Sequence, residues 1–116
     1  NSNGAVNTAE EIGKGITAVV QRLRTGLPKA KVLLLAIFPR GEQPNAGRAK
    51  CAEASRLAAA ALAGDAMVVY RDIGERFLAA DGSLSKDVMP DFLHLTEAAY
   101  RTWAEAIVAD VDALRR

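Results

Sequence analysis

Residues 31–38 read Lys-Val-Leu-Leu-Leu-Ala-Ile-Phe, an apolar run from residue 32 onward that Pro39 closes. A strand with one wet face alternates apolar and polar side chains, whereas a strand covered on both faces does not. The run is too short for a buried helix and far too short for a membrane span. It therefore predicts a parallel-sheet strand that needs cover on both faces and a neighbour on each edge. A second strand is expected over 66–71, Ala-Met-Val-Val-Tyr-Arg.

Helical periodicity surrounds these two runs. Thr8 and Glu11 stand at capping-box spacing, and Ile12, Ile16, Val19, Val20 and Leu23 recur along one face, so a helix is expected over 8–25, ended by Gly26-Leu27-Pro28. Residues 40–45 read as a loop. An alanine-rich helix follows over 46–63, with Asn45 as cap and Gly64 past its end. A short helical turn is expected over 73–79 and a long loop over 80–94, with Asp81-Gly82-Ser83 as a turn signal. Residues 96–114 give the clearest helix, with Tyr100, Trp103, Ala104, Ile107, Val108, Val111 and Leu114 in one continuous apolar stripe. The order is helix-strand-helix-strand-helix: one βαβ unit, its strands parallel, with a helix at each end.

Two strands do not satisfy the first one. Parallel sheets are usually larger and buried on both faces, and a free edge on residues 32–38 invites aggregation. Further strands are expected in a missing amino-terminal portion of the polypeptide, in a second chain, or across a domain-swapped homo-oligomer. The chain opens on Asn rather than Met, which reads as a processed, truncated or partial end and leaves the compartment unassigned.

Composition narrows the function classes. The 116 residues are 50% apolar and 25% charged, which suits one globular domain. Fifteen basic against 14 acidic residues leave a net charge of +1, and a close basic pair such as Arg22 and Arg24 reads as a solvated helix face, so a nucleic-acid surface is not expected. One cysteine and one histidine argue against a disulfide framework and against most zinc sites. No cofactor or metal is expected, and no membrane span.

In open α/β sheets, ligands bind beyond the carboxyl ends of the strands. Three loops lie there: those after Phe38, after Arg71, and before the last helix. The third contains Asp91-Phe92-Leu93-His94, ahead of Thr96 as a helix cap. A carboxylate three residues before an imidazole can accept its Nδ1–H and leave Nε2 as a general base, two thirds of a nucleophilic triad. A capped helix start with an incidental histidine is the plainer reading. The stretch Asn1-Ser2-Asn3-Gly4 reads either as the source of a side-chain amide that binds an oxyanion or as a frayed terminus or cap. Cys51 reads as small core filler, and Ser83 and Ser85 as turn residues, rather than as nucleophiles. Arg40 reads as a surface arginine before an anion ligand.

At these residues the sequence resembles a known family. Asp91-Phe92-Leu93-His94-Leu95-Thr96 is similar to the carboxyl-terminal Asp-x-x-His signature of the SGNH, or GDSL-type, hydrolases. Residues 31–41, ending Ile-Phe-Pro-Arg-Gly, resemble the branch that holds the catalytic subunits of platelet-activating-factor acetylhydrolase. So do Asn7-Thr8-Ala9-Glu10-Glu11-Ile12, Asp81-Gly82-Ser83-Leu84-Ser85 and Met89-Pro90-Asp91. The resemblance covers nearly the whole chain.

It implies an α/β fold, a flavodoxin-like three-layer αβα sandwich on a five-stranded parallel sheet. Residues 1–116 would form a partial domain, its carboxyl-terminal half. It implies an ester hydrolase with a Ser-His-Asp triad: His94 as base, Asp91 as its orienting carboxylate, Asn3 as oxyanion-hole amide, and no cofactor. The family's Gly-Asp-Ser nucleophile motif does not occur here, so the serine would lie outside this chain, in the missing amino-terminal half. Asn1 stands where the family's Gly-x-Asn segment has glycine. The implied substrates are short acyl esters of lipids or acetylated sugars. The alternative is a non-catalytic half-domain that assembles through its exposed sheet edge.

Overall fold

The computed structural model describes residues 2–116, with Ser2 described by its backbone alone. Asn1, the residue aligned with the family's glycine, lies outside the described residues. A 3-10 turn over Ser2–Ala5 leads into helix α1, Ala9–Gly26. The capping box closes as its spacing predicts. Thr8 Oγ1 accepts the Glu11 amide at 3.2 Å, and the Glu11 carboxylate accepts the Thr8 amide at 2.9 Å. The Thr8 amide, joined by the Asn7 side-chain amide, holds the Glu11 carboxyl below its ordinary range. At the far end, the Arg24 guanidinium donates to the carbonyls of Leu27, Pro28 and Ala30 and to the Asp65 carboxylate, pinning the turn into the sheet.

Strand β1 is Val32–Leu35 and strand β2 is Val68–Arg71, paired in parallel with Val32 opposite Val68 and Leu35 opposite Arg71. Both are shorter than the apolar runs suggest. The ladder ends where the Ala36 amide donates to the Arg71 carbonyl; the next amide, Ile37, turns instead to the Ser55 hydroxyl at 2.9 Å. Beyond Arg71, Asp72 Oδ1 accepts the Gly74 amide at 2.8 Å and bends the chain into a 3-10 turn over Gly74–Phe77. Strand β2 also begins late, because Asp65 Oδ1 takes the Met67 amide and keeps residues 65–67 in a turn.

Helix α2, Ala46–Leu62, starts from Asn45, whose side-chain oxygen accepts the Arg48 amide. Its buried face consists of Cys51, Ala54, Ser55, Ala58 and Leu62. These side chains are mostly small, so α1 approaches closely at Gly13, where a Cβ would lie 3.1 Å from the Ala54 carbonyl oxygen. Helix α3 is Glu97–Arg115, capped by Thr96.

Successive strand residues point to opposite faces of a sheet. Leu34 lines a groove beneath α1, and Leu35 packs on a core built from Ile73, Phe77, Leu84, Met89 and Ala99. Trp103 and Ile107 of α3 cover that core, and Phe38 meets Trp103 edge-on at 4.9 Å. Helices α1 and α2 therefore form one layer and α3 the other, with the sheet between them.

The cover is incomplete, and the apolar helix faces are only partly buried. In α1, Val20 is buried, but Val19 and Leu23 are 62% and 46% exposed. In α3, Trp103 and Ile107 pack, but Tyr100 and Val108 are each 55% exposed and Val111 is 37% exposed. Every β1 residue is half-buried, and among the described residues β1 has β2 as its only ladder neighbour. The apolar stripes are wider than the surface that this chain buries. Among the described residues no helix is long and apolar enough to cross a membrane. No group of three metal-ligating side chains occurs among them either.

Candidate active site

The loop that leads into α3 is tied down from beneath. Met89 is 1% exposed, and its carbonyl accepts the Phe92 amide at 2.9 Å. The Thr96 amide and hydroxyl reach back to the carbonyls of Val88 and Asp87, while the same hydroxyl caps α3. Between these anchors Phe92 takes a left-handed backbone, φ 58°, which a bulky residue rarely adopts. That conformation reverses the chain and brings Asp91 and His94 together.

Asp91 uses both carboxylate oxygens. Oδ1 accepts the amides of Leu93 and His94 at 3.0 and 2.8 Å, and Oδ2 lies 2.6 Å from His94 Nδ1. The His94 amide contributes most, then the His94 ring and the Leu93 amide; together they hold the Asp91 carboxyl far below the ordinary carboxylate range. An ionised carboxylate only accepts, so Nδ1 carries the proton toward it and the lone pair of the neutral ring lies at Nε2. The His94 side chain is 78% exposed.

Asn3 comes from the other end of the chain. It is exposed in the first 3-10 turn, with its carbonyl accepting the amides of Val6 and Asn7. It lines one end of a groove of about 470 Å³ whose polar end is Asn3, Asn7 and Glu11 and whose floor includes Ile16, Leu34 and Ile37. Neither Asp91 nor His94 lines that groove. The loop over residues 39–45 bridges the two. Gly4 and Ala5 share a smaller pocket with Arg40, Gly41 and Asn45, and the Gly41 amide donates to the Phe92 carbonyl at 2.9 Å.

The residues weighed as nucleophiles lie elsewhere. Cys51 is buried on the inner face of α2. Ser83 donates its hydroxyl to Asp81 at 2.6 Å, and the Ser85 hydroxyl accepts the Asp87 amide, both within local turns. Arg40 offers its backbone carbonyl to Asn45 and Arg48. The residue that sequence reasoning passed over is Arg48, whose side chain gathers loop carbonyls next to the Asp91–His94 turn. Its only sequence signal is its place three residues after the Asn45 cap.

Comparison with known proteins gives this geometry its setting. Residues 1–102 match the model of the GDSL-like lipase/acylhydrolase family. The chain is 43% identical over 99 residues to platelet-activating factor acetylhydrolase IB subunit alpha2 of Rattus norvegicus, covering 85% of this chain and 43% of the relative. It is 36% identical over 106 residues to subunit alpha1 of Homo sapiens, covering 91% and 46%. Among solved structures, a chain from Streptococcus pneumonia whose description names a platelet activating factor superposes with a TM-score of 0.78. That match has 20% identity and covers 94% of this chain and 54% of the other, so it speaks to the fold. The chain thus spans less than half the length of the curated relatives it matches, and its three helices and parallel strand pair form part of a flavodoxin-like α/β domain. On the family model and these relatives together, the chain belongs to the GDSL-like lipase/acylhydrolase family.

Proposed function

We propose that this chain carries the acid–base part of a serine esterase site, with the nucleophilic serine supplied by a segment outside these 116 residues. The observation that carries the reading is the 2.6 Å contact between Asp91 Oδ2 and Nδ1 of the exposed His94 ring. The family match and the acetylhydrolase relatives support it.

In the reaction the serine hydroxyl gives its proton to His94 Nε2 as its oxygen attacks the ester carbonyl carbon. Asp91 keeps the imidazolium oriented and stabilised. The Asn3 side-chain amide, with backbone amides, receives the oxyanion; one such donor is worth on the order of 10²–10³ in rate. Collapse breaks the ester C–O bond, and His94 returns the proton to the departing alcohol. Water, activated by His94, then cleaves the acyl-enzyme to release the carboxylic acid and restore the serine. The substrates are short acyl esters, acetyl groups on a lipid or a sugar, and the chemistry requires neither metal nor organic cofactor.

A second reading rests on the half-buried β1 and the exposed Val19 and Leu23 of α1: a non-catalytic half-domain that assembles through its sheet edge, with a second copy or another chain. Intact-mass spectrometry after treatment with a fluorophosphonate serine probe separates the two. The esterase reading expects one adduct, on a longer polypeptide containing this sequence or on a copurifying chain. An unlabelled sample that forms a stable oligomer and hydrolyses no acetyl ester overturns it in favour of assembly.

A further inference from the structure

The Asp91–His94 turn is internally bonded, yet its place in the molecule is set from another element. Arg48 lies in the first turn of α2, half-buried, with its backbone amide fixed by the Asn45 cap. Its guanidinium donates through Nε to the Arg40 carbonyl at 2.9 Å, through one terminal nitrogen to the Gly82 carbonyl at 2.6 Å, and through the other to the Gly41 carbonyl at 2.6 Å. Gly41 in turn donates its amide to the carbonyl of Phe92, the left-handed residue between Asp91 and His94. A parallel tie runs from the Leu84 amide to the Glu42 carbonyl at 2.8 Å. Both Gly41 and Gly82 have φ of 81°, so each loop turns sharply where Arg48 holds it.

We infer that Arg48 is a positioning residue for the His94 base, acting through the backbone of residues 40–42. The inference rests on the esterase reading above. The planar guanidinium presents its donors in a fixed fork that meets the carbonyls of Arg40, Gly41 and Gly82, and more distantly that of Glu42 at 3.4 Å, from two loops at once. A lysine ammonium on a flexible stem keeps the charge but cannot span that set. Without the fork the carbonyls of residues 40, 41 and 82 lose their common partner, the Gly41–Phe92 bond loosens, and His94 loses its fixed distance to the incoming serine. Small misplacements of this kind cost much rate, about 10²-fold for 1 Å.

The test compares Arg48→Lys and Arg48→Met with the parent, in two arms. Amide hydrogen exchange is expected to quicken by about tenfold at Gly41, Leu93 and His94, with α1 amides unchanged. In the complete protein carrying the nucleophile, kcat for acetyl-ester hydrolysis is expected to fall by about 10²-fold with KM little altered. Arg48→Lys carries the test if Arg48→Met does not fold. Unchanged exchange at the three amides together with an unchanged kcat overturns the inference while leaving the esterase reading intact. A parent protein that takes no fluorophosphonate and hydrolyses no ester overturns that reading instead, and the exchange arm alone then decides whether Arg48 holds the turn.

Discussion

The substitution Asp91→Asn isolates one of the three hydrogen bonds that Asp91 makes. The side-chain amide oxygen of asparagine can still accept the Leu93 and His94 amides, now at 3.0 and 2.8 Å, so the turn is retained. The group facing His94 Nδ1 at 2.6 Å changes from an acceptor to an NH₂ donor. Nδ1 must then present its lone pair, the proton moves to Nε2, and the ring is left in the tautomer that cannot accept from a serine. In serine hydrolases this tautomer error costs about 10⁴ in kcat with geometry intact, on the order of 5 kcal/mol of transition-state stabilisation. Both side chains are more than half exposed, so the accompanying loss of stability should be small. The assay is hydrolysis of a chromogenic acetyl ester by the complete protein, run beside a thermal melt. A variant that retains activity within about tenfold of the parent, at an unchanged melting temperature, would refute the role given to this carboxylate.

Two further outcomes follow from the same turn. Because Asp91 has a depressed folded-state pKa, its contribution to stability is fully present above its unfolded value of about 3.9 and is lost as pH falls through the folded value. Carboxyl-carbon NMR should therefore give a midpoint below about 3.9, and one at or above it would remove the three hydrogen bonds from the solution structure. At Phe92, Gly and Ala both delete a ring that packs on the core and lies 5.8 Å from Lys86 Nζ, and glycine's tolerance of φ 58° outweighs its larger loss of backbone entropy. Phe92→Gly should be more stable than Phe92→Ala by about 0.5–1 kcal/mol by urea midpoint, the reverse of their order in a helix; equal stabilities would mean that the left-handed turn is absent.

The sequence made the elements readable where their signals are local. The unbroken run at 32–38, the Thr8–Glu11 box and the Asn45 and Thr96 caps each placed an element to within a few residues. The Asp-x-x-His spacing placed the pair. What stayed hidden depended on distant partners. Strand β1 stops at Leu35 because β2 supplies a ladder no longer than Arg71 and because Ser55, on another element, claims the Ile37 amide. Apolar periodicity identified the stripes of α1 and α3 but not how much of them would be covered, since a stripe records what a helix can bury and not what lies opposite it. Arg48 looked like any helix arginine, because its partners are carbonyls, which every residue has.

Asp91 and His94 are three residues apart, so bringing the imidazole to the carboxylate closes a very short loop and costs little chain entropy. Orientation of the imidazole is in effect a property of a tetrapeptide with a kink at Phe92, while its location is a property of the fold. The two are separable tasks. On the proposed reading, sequence drift in the helices could slide the whole turn relative to a nucleophile, and so retune which esters fit, without disturbing the proton relay.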